Sequence, residues 1–319
     1  MPRSLITGVT GQDGWYLSEL LREQGHEVFG LVIDGDPAPL PPDVRPLYGD
    51  MGDATSIAIA LATALPAEIY NLAAISSVAE SWHQPERVAD INGVGVVRLL
   101  HAARALAERT GQSVRVVQAS SAEIFGDSAP PQNEQSVIRP TSPYGAAKAF
   151  AHHAVGVYRC AGLAASSAIL YNHESPRRPE NFVTRKITAA AARISCGSDE
   201  KLVLGNLDAR RDWGHASDYM RAMTLIARHG EPADFVIASG ASRSVKDFVT
   251  AAFAYVGIED WSRHVSVDPA LVRPAEPFEQ RGDPTRAQRV LGWQPKVTFE
   301  DLVAAMVDAD LASVRGTFP

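Results

Sequence analysis

Ser120-Ser121-Ala122-Glu123 and, further on, Tyr144-Gly145-Ala146-Ala147-Lys148 bring a hydroxyl, a carboxylate, a phenol and an amine into one stretch of chain. Those are the groups needed to oxidise a sugar alcohol and then remove a proton beside the new ketone. Tyr144 and Lys148 are spaced i, i+4, so a helix points both from one face. A phenol has an ordinary pKa of about 10, and moving it near 7 takes roughly 4 kcal/mol. A neighbouring ammonium and an oxidised nicotinamide both favour the phenolate. Tyr144 is thus the candidate to take the proton of a sugar hydroxyl, with Ser121 sharing the hydrogen bond to it. Glu123, two residues beyond the serine, is a base able to reach the adjacent carbon. Each group alone has an ordinary explanation: a surface tyrosine above a solvated lysine, a turn-capping serine, a loop acid facing solvent. Their combination after an apolar strand makes Ser121, Glu123, Tyr144 and Lys148 the candidate catalytic set.

A redox cofactor for that set has a place at the start of the chain. Residues 1–7 read as a short apolar strand, followed by Gly8-Val9-Thr10-Gly11-Gln12-Asp13-Gly14 and an amphipathic helix. Glycines at 8, 11 and 14 let the backbone turn tightly and approach a pyrophosphate, which the helix amides then face. The spacing is Gly-x-x-Gly-x-x-Gly rather than the commoner Gly-x-Gly-x-x-Gly. Asp34 ends the second expected strand, where an acid would hold the ribose 2′-hydroxyl of NAD and repel the 2′-phosphate of NADP. Asp34-Gly35-Asp36 fits a solvated turn equally well. Asp50-Met51 follow the third strand. Asn71-Leu72-Ala73-Ala74, with Ser76 just beyond, follow the fourth, and strand ends are where adenine and nicotinamide ribose lie.

The elements that must position these groups alternate strand and helix through the first half, the pattern of a parallel sheet covered on both faces. Strands are expected at 5–7, 28–33, 68–72, 114–118 (ending at Ala119-Ser120-Ser121) and 163–170, and helices at 15–23, 54–65, 93–109 and from Pro143. Prolines at 37, 39, 41, 42 and 46 hold an extended connection. Beyond Tyr171 the texture changes: 172–179 reads as a loop, 183–194 as a helix, 236–238 as a late strand returning to the sheet and 299–311 as a last helix. The expected fold is α/β, a Rossmann-type doubly wound parallel sheet with a smaller, discontinuous C-terminal substrate domain. Residues 1–170 plus about 213–240 would form the dinucleotide domain, and 171–212 with 241–319 the sugar-nucleotide domain. The chain has 319 residues, enough for a core without staples, and a formal net charge of −7. That charge argues against nucleic acid and against an anionic membrane. Cys160 and Cys196 form no metal spacing, no metal is expected, and free thiols fit a reducing compartment. With no leader-like or bilayer-length apolar segment, a cytoplasmic enzyme is expected.

The sequence resembles GDP-mannose 4,6-dehydratases, members of the extended short-chain dehydrogenase/reductases. The matching stretches are 8–14 with its Gln12-Asp13, 70–74, 172–178 (Asn-His-Glu-Ser-Pro-Arg-Arg), 182–187, 204–215, 273–276 and 282–284, and together they cover nearly the whole chain. The resemblance implies an internal redox cycle on a GDP-sugar. Tyr144 deprotonates the C4 hydroxyl while C4 hydride passes to the cofactor, Glu123 removes the C5 proton, water leaves from C6, and the hydride returns to C6. It also implies that His173 and Arg178 touch the cofactor. Ser76, Asn172, Glu174, Val183, Lys186, Arg211, Arg273 and Glu276 would line the sugar-nucleotide pocket. Four departures stand out. Ser121 replaces the family's threonine, Ala122 its serine, Asp34 and Gly35 two arginines, and Arg87 a cofactor-contacting tyrosine. By family analogy the cofactor is NADP and the assembly a tetramer. Asp34 and the missing arginines favour NAD, and a homodimer is expected. Two rival readings remain: a GDP-hexose 4-epimerase or 4-reductase, which needs no acid at 123 and which Ala122 keeps open, and a redox-sensing binding protein without chemistry, against which the complete set of Glu123, Tyr144 and Lys148 speaks.

Overall fold

The apolar runs of the first half become strands, and the amphipathic runs between them become the helices that cover those strands. The computed structural model describes residues 1–272 and 275–316. In chain order it forms β1 (Arg3–Thr7), α1 (Gln12–Glu23), β2 (Glu27–Val32), β3 (Arg45–Tyr48), α2 (Ala54–Ala64), β4 (Glu68–Asn71), α3 (Val78–His83) and α4 (Pro85–Ala89). A π-helical turn (Asp90–Val94) leads into α5 (Gly95–Thr110), then β5 (Arg115–Ser121), a 3-10 turn (Ala122–Ile124), α6 (Pro143–Cys160) and β6 (Ala164–Leu170). The second half adds β7 (Asn172–Glu174), α7 (Val183–Ser195), β8 (Leu202–Leu204), β9 (Arg210–His215), α8 (Ala216–Arg228) and β10 (Asp234–Ile237). It ends with β11 (Ser242–Ser244), α9 (Val245–Tyr255), β12 (Val265–Val267), β13 (Glu279–Gln280), α10 (Thr285–Leu291) and α11 (Phe299–Val314).

Seven strands pair in the order β10-β6-β5-β4-β1-β2-β3, every pair parallel. A parallel sheet is buried on both faces, and each strand sends alternate side chains to opposite sides. Ile6, Val28, Tyr70 and Val117 join the apolar cluster beneath α1 and α8. Their neighbours Leu5, Phe29, Ile69 and Val116 join the one beneath α2, α5 and α6. The strand order reverses between β1 and β4, which opens a crevice at the carboxyl ends of these strands. A third cluster, with Trp213, Phe248, Phe253 and Met306, packs α7, α9 and α11 against one another.

Several expected boundaries move, and the shifts bear on the site. The first helix begins at Gln12 rather than Trp15, so Gln12 and Asp13 lie in its first turn. The fifth strand ends at Ala119-Ser120-Ser121, as expected, which sets Ser121 at the strand end. The second strand stops at Val32, and Asp34 lies beyond it in an exposed turn. The helix expected from Gly93 begins as a π-helical turn at Asp90. Residues 172–174, read as loop, form β7, which pairs with β9 in parallel.

Candidate active site

Tyr144 owes its place to the start of α6. Pro143 stands at the first helical position, where its missing N–H is no loss, and the Ser142 hydroxyl caps the turn by accepting from Gly145 N at 3.0 Å. A Cβ on Gly145 would fall 2.5 Å from the Glu123 carbonyl oxygen, so only glycine lets this turn lie against the end of β5. That close approach puts Tyr144 beside Ser121 and Glu123. The Ser121 hydroxyl accepts from Glu123 N at 3.2 Å. Burial pushes the Tyr144 phenol up to about 12; the hydrogen bond with Ser121 opposes this, the Glu123 charge adds to it, and the Arg178 charge pulls it down. Lys148 Nζ lies 5.8 Å from the Tyr144 ring centroid and donates to the Ala119 carbonyl at 2.9 Å. Burial lowers the Lys148 ammonium to about 8, opposed by the Asp13 charge. The four candidate catalytic residues therefore meet at one strand end. Ala122 is buried in an apolar cluster, so the side chain at that position faces the core. Arg87 lies exposed on α4, bonded to Gln84 Oε1 at 3.3 Å.

The glycine turn closes the other side of the crevice. Gly8 has φ +67°, and a Cβ there would sit 2.8 Å from Ala73 N, so the turn and the strand end at 72–74 touch backbone to backbone. Gly11 is the N-cap of α1, whose first amides are free for an anion. Thr7 Oγ1 donates to Asn71 Oδ1 at 2.5 Å and accepts from Ala73 N at 3.1 Å; Asn71 Nδ2 donates to Gln118 Oε1 at 2.6 Å. Gln118 Nε2 in turn donates to Ala119 O, the same carbonyl that holds Lys148. A line of hydrogen bonds thus runs across β1, β4 and β5 from the turn to the lysine. Asn92, fully buried in the π-helical turn, clamps both backbone groups of Ile75 and so fixes the approach to Ser76, which is exposed. Sequence reasoning missed Asn92 and Gln118; the available signal was a lone amide inside an apolar run. Asp50 accepts from Gly52 N, and buried Met51 takes Arg98 on its carbonyl. Asp36, not Asp34, is the carboxylate hydrogen-bonded to the turn, accepting from Thr10 Oγ1 at 3.4 Å.

Gln12 and Asp13 reach across to β7. Gln12 Nε2 donates to the His173 carbonyl at 3.1 Å, and Ser175 Oγ donates to Gln12 Oε1 at 2.7 Å. The two ring nitrogens of His173 both face acceptors, the Tyr171 carbonyl at 2.7 Å and Asp13 Oδ2 at 2.8 Å, an arrangement that favours the doubly protonated ring. Burial works against that charge, but the Asp13 charge and hydrogen bond raise His173 above its ordinary value. Burial likewise works against the Asp13 carboxylate, and His173 holds it below its ordinary value. Glu174 is buried, accepting from Thr184 Oγ1 at 2.7 Å and paired with Arg178 at 3.0 Å. Arg178 also lies over the Phe182 ring, 3.6 Å from its centroid. Asn172 is half-buried on β7, Val183 opens α7, and Lys186 is exposed one turn on. Arg211 is 7 % exposed and pairs with Glu276 at 3.0 Å, so residues 210–212 are not a solvated ion cluster. Arg273 lies outside the described residues. Among the described residues no group of His, Cys, Asp and Glu is arranged to hold a metal.

A parallel sheet whose order reverses beside a glycine turn, with Ser121, Tyr144 and Lys148 at the adjoining strand end, defines an extended short-chain dehydrogenase/reductase. Within that class the chain belongs to the GDP-mannose 4,6 dehydratase family, whose model matches residues 5–306. It is 46 % identical to GDP-mannose 4,6 dehydratase 1 of Arabidopsis thaliana, over 97 % of this chain and 89 % of that one. It is 43 % identical to the GDP-mannose 4,6-dehydratase of Sinorhizobium fredii, over 98 % of both chains. Among solved structures, a dTDP-glucose 4,6-dehydratase from Streptomyces venezuelae with NAD bound superposes with a TM-score of 0.82, at 25 % identity and 98 % coverage of both chains.

Proposed function

We propose that the chain converts GDP-mannose to its 4-keto-6-deoxy form by removing water across C5 and C6, with no net use of the dinucleotide. The observation that carries this reading is the meeting of Ser121, Glu123 and Tyr144 at the end of β5 beside buried Lys148. A nicotinamide dinucleotide fits the turn: only glycine is tolerated at position 8, and the first amides of α1 have no side-chain cap. Gly8, Thr10, Gly11, Gln12, Asp13 and Gly14 would cradle its phosphates, with Leu72, Ala73 and Ala74 beneath. When bound, it supplies the acceptor for C4 hydride and the donor that returns that hydride to C6.

The chain's own residues move the protons. Tyr144 takes the proton of the C4 hydroxyl while Ser121 holds the same oxygen. Burial leaves the Tyr144 phenol protonated in the free protein, so its action depends on positive charge nearby: the Arg178 guanidinium, the Lys148 ammonium 5.8 Å from its ring, and an oxidised nicotinamide when one is bound. Glu123 takes the C5 proton, acidified by the C4 ketone. It passes that proton to the departing C6 hydroxyl, which leaves as water, and then takes up a solvent proton, the one it delivers to C5 as the hydride returns to C6. Asn172, Lys186, Arg211 and Glu276 would bind the GDP-sugar, Arg211 meeting the diphosphate in place of its Glu276 contact. The dinucleotide is NAD, because Asp34 and Asp36 put carboxylates on the turn after β2 that repel a 2′-phosphate. The division into a dinucleotide domain (1–170 with about 213–240) and a substrate domain is supported by the separate apolar cluster of α7, α9 and α11. A cytoplasmic homodimer completes the reading; among the described residues no helix is long and apolar enough to cross a membrane.

The test is incubation with GDP-mannose in heavy water. The protein should form a 4-keto product, lighter than the substrate by one water apart from label, carrying solvent deuterium at C5. Glu123→Gln should keep cofactor binding and lose product by at least about 100-fold. Normal turnover by that variant would refute the mechanism.

A further inference from the structure

We propose that Gln280 is a positioning residue for the Glu123 carboxylate, tying proton removal at C5 to the segment that carries Glu276. The proposal rests on the reading of Glu123 as the C5 base. Gln280 is 2 % exposed in β13, and its Nε2 donates to Glu123 Oε1 at 3.3 Å across 157 positions of sequence. An amide this deeply buried is unfavourable unless it is bonded, and the bond its side chain makes is to this carboxylate.

The backbone around Gln280 is fixed from both sides. Upstream, Arg211 pairs with Glu276 at 3.0 Å and donates to the Pro277 carbonyl at 3.1 Å. In the sheet, Gln280 stands opposite Arg211 on β9. Downstream, Gln132 N donates to the Arg281 carbonyl at 2.9 Å, Asp283 N donates to the Gln132 carbonyl at 2.8 Å, and Gly282 N donates to Asp212 at 3.3 Å. A Cβ on Gly282 would fall 2.4 Å from the Ala238 side chain, so the strap lies against the core there. With its backbone held at these points and its side chain buried, the Gln280 amide is confined by packing, and its donor sets where Glu123 Oε1 rests.

The chemistry suits a base. A glutamate has three side-chain torsions, and one donor on Oε1 selects the rotamers that leave Oε2 free for the C5 proton. A neutral amide favours the charged carboxylate without the full Coulombic stabilisation that a lysine or arginine would give, which would weaken the base. The 3.3 Å separation lies at the long end for N–H···O. Because Glu276 and Gln280 sit on the same segment, a sugar nucleotide that takes Arg211 from Glu276 releases one tie on the segment that aims Glu123.

The experiment uses the cofactor-loaded protein with Gln280→Leu and Gln280→Glu. Leucine keeps the bulk and removes the donor; glutamate keeps the shape and sets a second carboxylate against the first. Gln280→Leu should lower kcat about 10-fold with KM within about twofold, the loss of one hydrogen bond to a charged group. C5 deuterium uptake should fall in the same proportion, first-turnover C4 oxidation should not change, and the acidic limb of the kcat–pH profile should move to higher pH. Gln280→Glu should lose more at neutral pH and recover in part as pH falls. If the leucine variant does not fold, the pH profile of the glutamate variant decides alone. A wild-type pH profile in either folded variant, or a loss carried by KM, overturns the role of Gln280. Product formed by Glu123→Gln, or none formed by the wild type, overturns instead the reading of Glu123 on which it rests.

Discussion

Burial lowers the Lys148 ammonium from 10.5 to about 8, with the Asp13 charge opposing, and this has a measurable consequence for the free protein. An unfolded lysine keeps its proton up to about 10.5, whereas the folded one releases it near 8. Between those values the unfolded chain binds the extra proton, so stability rises with pH. Below pH 8 the full penalty applies; across the window its relief amounts to roughly 3 kcal/mol. Above pH 10 the Tyr144 phenol, raised by burial, works in the opposite direction, so the comparison belongs below that point. Lys148→Met should be more stable than wild type near neutral pH and should flatten the rise; denaturant unfolding at about pH 7 and 9.5 checks it, and equal slopes would mean the lysine is not desolvated as described. At this scale the site was legible where chemistry is local. Tyr144 and Lys148 share a helix turn, and Ser121 and Glu123 are two residues apart, so spacing alone brings them near. The contact of Gln280 with Glu123 spans 157 positions, and no local pattern carries it.

The elements divide the same way. The strands of the large sheet were legible because burial on both faces demands continuous apolar runs, as in Val116-Val117 and Ile169-Leu170. Strands β7, β9 and β11 were not, because their sequences are polar: Asn172–Glu174, Arg210–His215 and Ser242–Ser244. Beside the apolar packing of Trp213 on β9, a buried carboxylate ties the loops around these strands. Asp212, wholly buried on β9, accepts from Ser239 N at 2.7 Å, Ser239 Oγ at 2.6 Å, Gly240 N at 2.9 Å and Gly282 N at 3.3 Å. It thereby pins the segment after β10 and the segment after β13 to one strand. Burial raises its carboxyl to about 6, against the pull of these donors. The folded state thus binds a proton that the unfolded chain has lost between pH 3.8 and 6, and through this group stability falls as pH rises across that window. Asp212→Asn sets an NH₂ against the Gly240 and Gly282 amides and should cost about 2–4 kcal/mol at pH 7. Because the amide does not titrate, the deficit should widen toward pH 5. Urea midpoints at the two pH values test this, and a deficit that narrows would contradict the burial of the charge.

At the scale of the whole molecule the question is what covers α5 and α6. Both faces of the sheet are closed by helices, yet Val94 at the start of α5 and Phe150 and Val157 on α6 stand 42 %, 52 % and 66 % exposed. Beside them a groove between α2 and α5, floored by Ala58, Leu61, Ala102, Ala105 and Leu106 and edged by Arg98, His101, Arg109 and Tyr158, has the apolar floor and polar rim of an interface. In the proposed homodimer these apolar groups on two adjacent helices, flanked by charge, would meet a second copy of the same surface across a two-fold axis, each copy offering both the ridge and the groove. A stable pair would bury about 1,200–2,000 Å² in all. Val157→Glu tests the arrangement with little cost to the monomer, since the side chain is already in water and a single exposed glutamate is tolerated in a helix. In a two-fold dimer the substitution enters the interface twice, desolvating two carboxylates without partners, and should weaken association about 100-fold or more. Light scattering across a dilution series should give twice the chain mass of 34.2 kDa for the wild type and the single mass for the variant, with the melting temperature of the diluted variant matching that of dissociated wild type. A wild type that stays monomeric at micromolar concentration, or a variant that still pairs with undiminished affinity, would place the interface elsewhere and leave these apolar side chains without a partner.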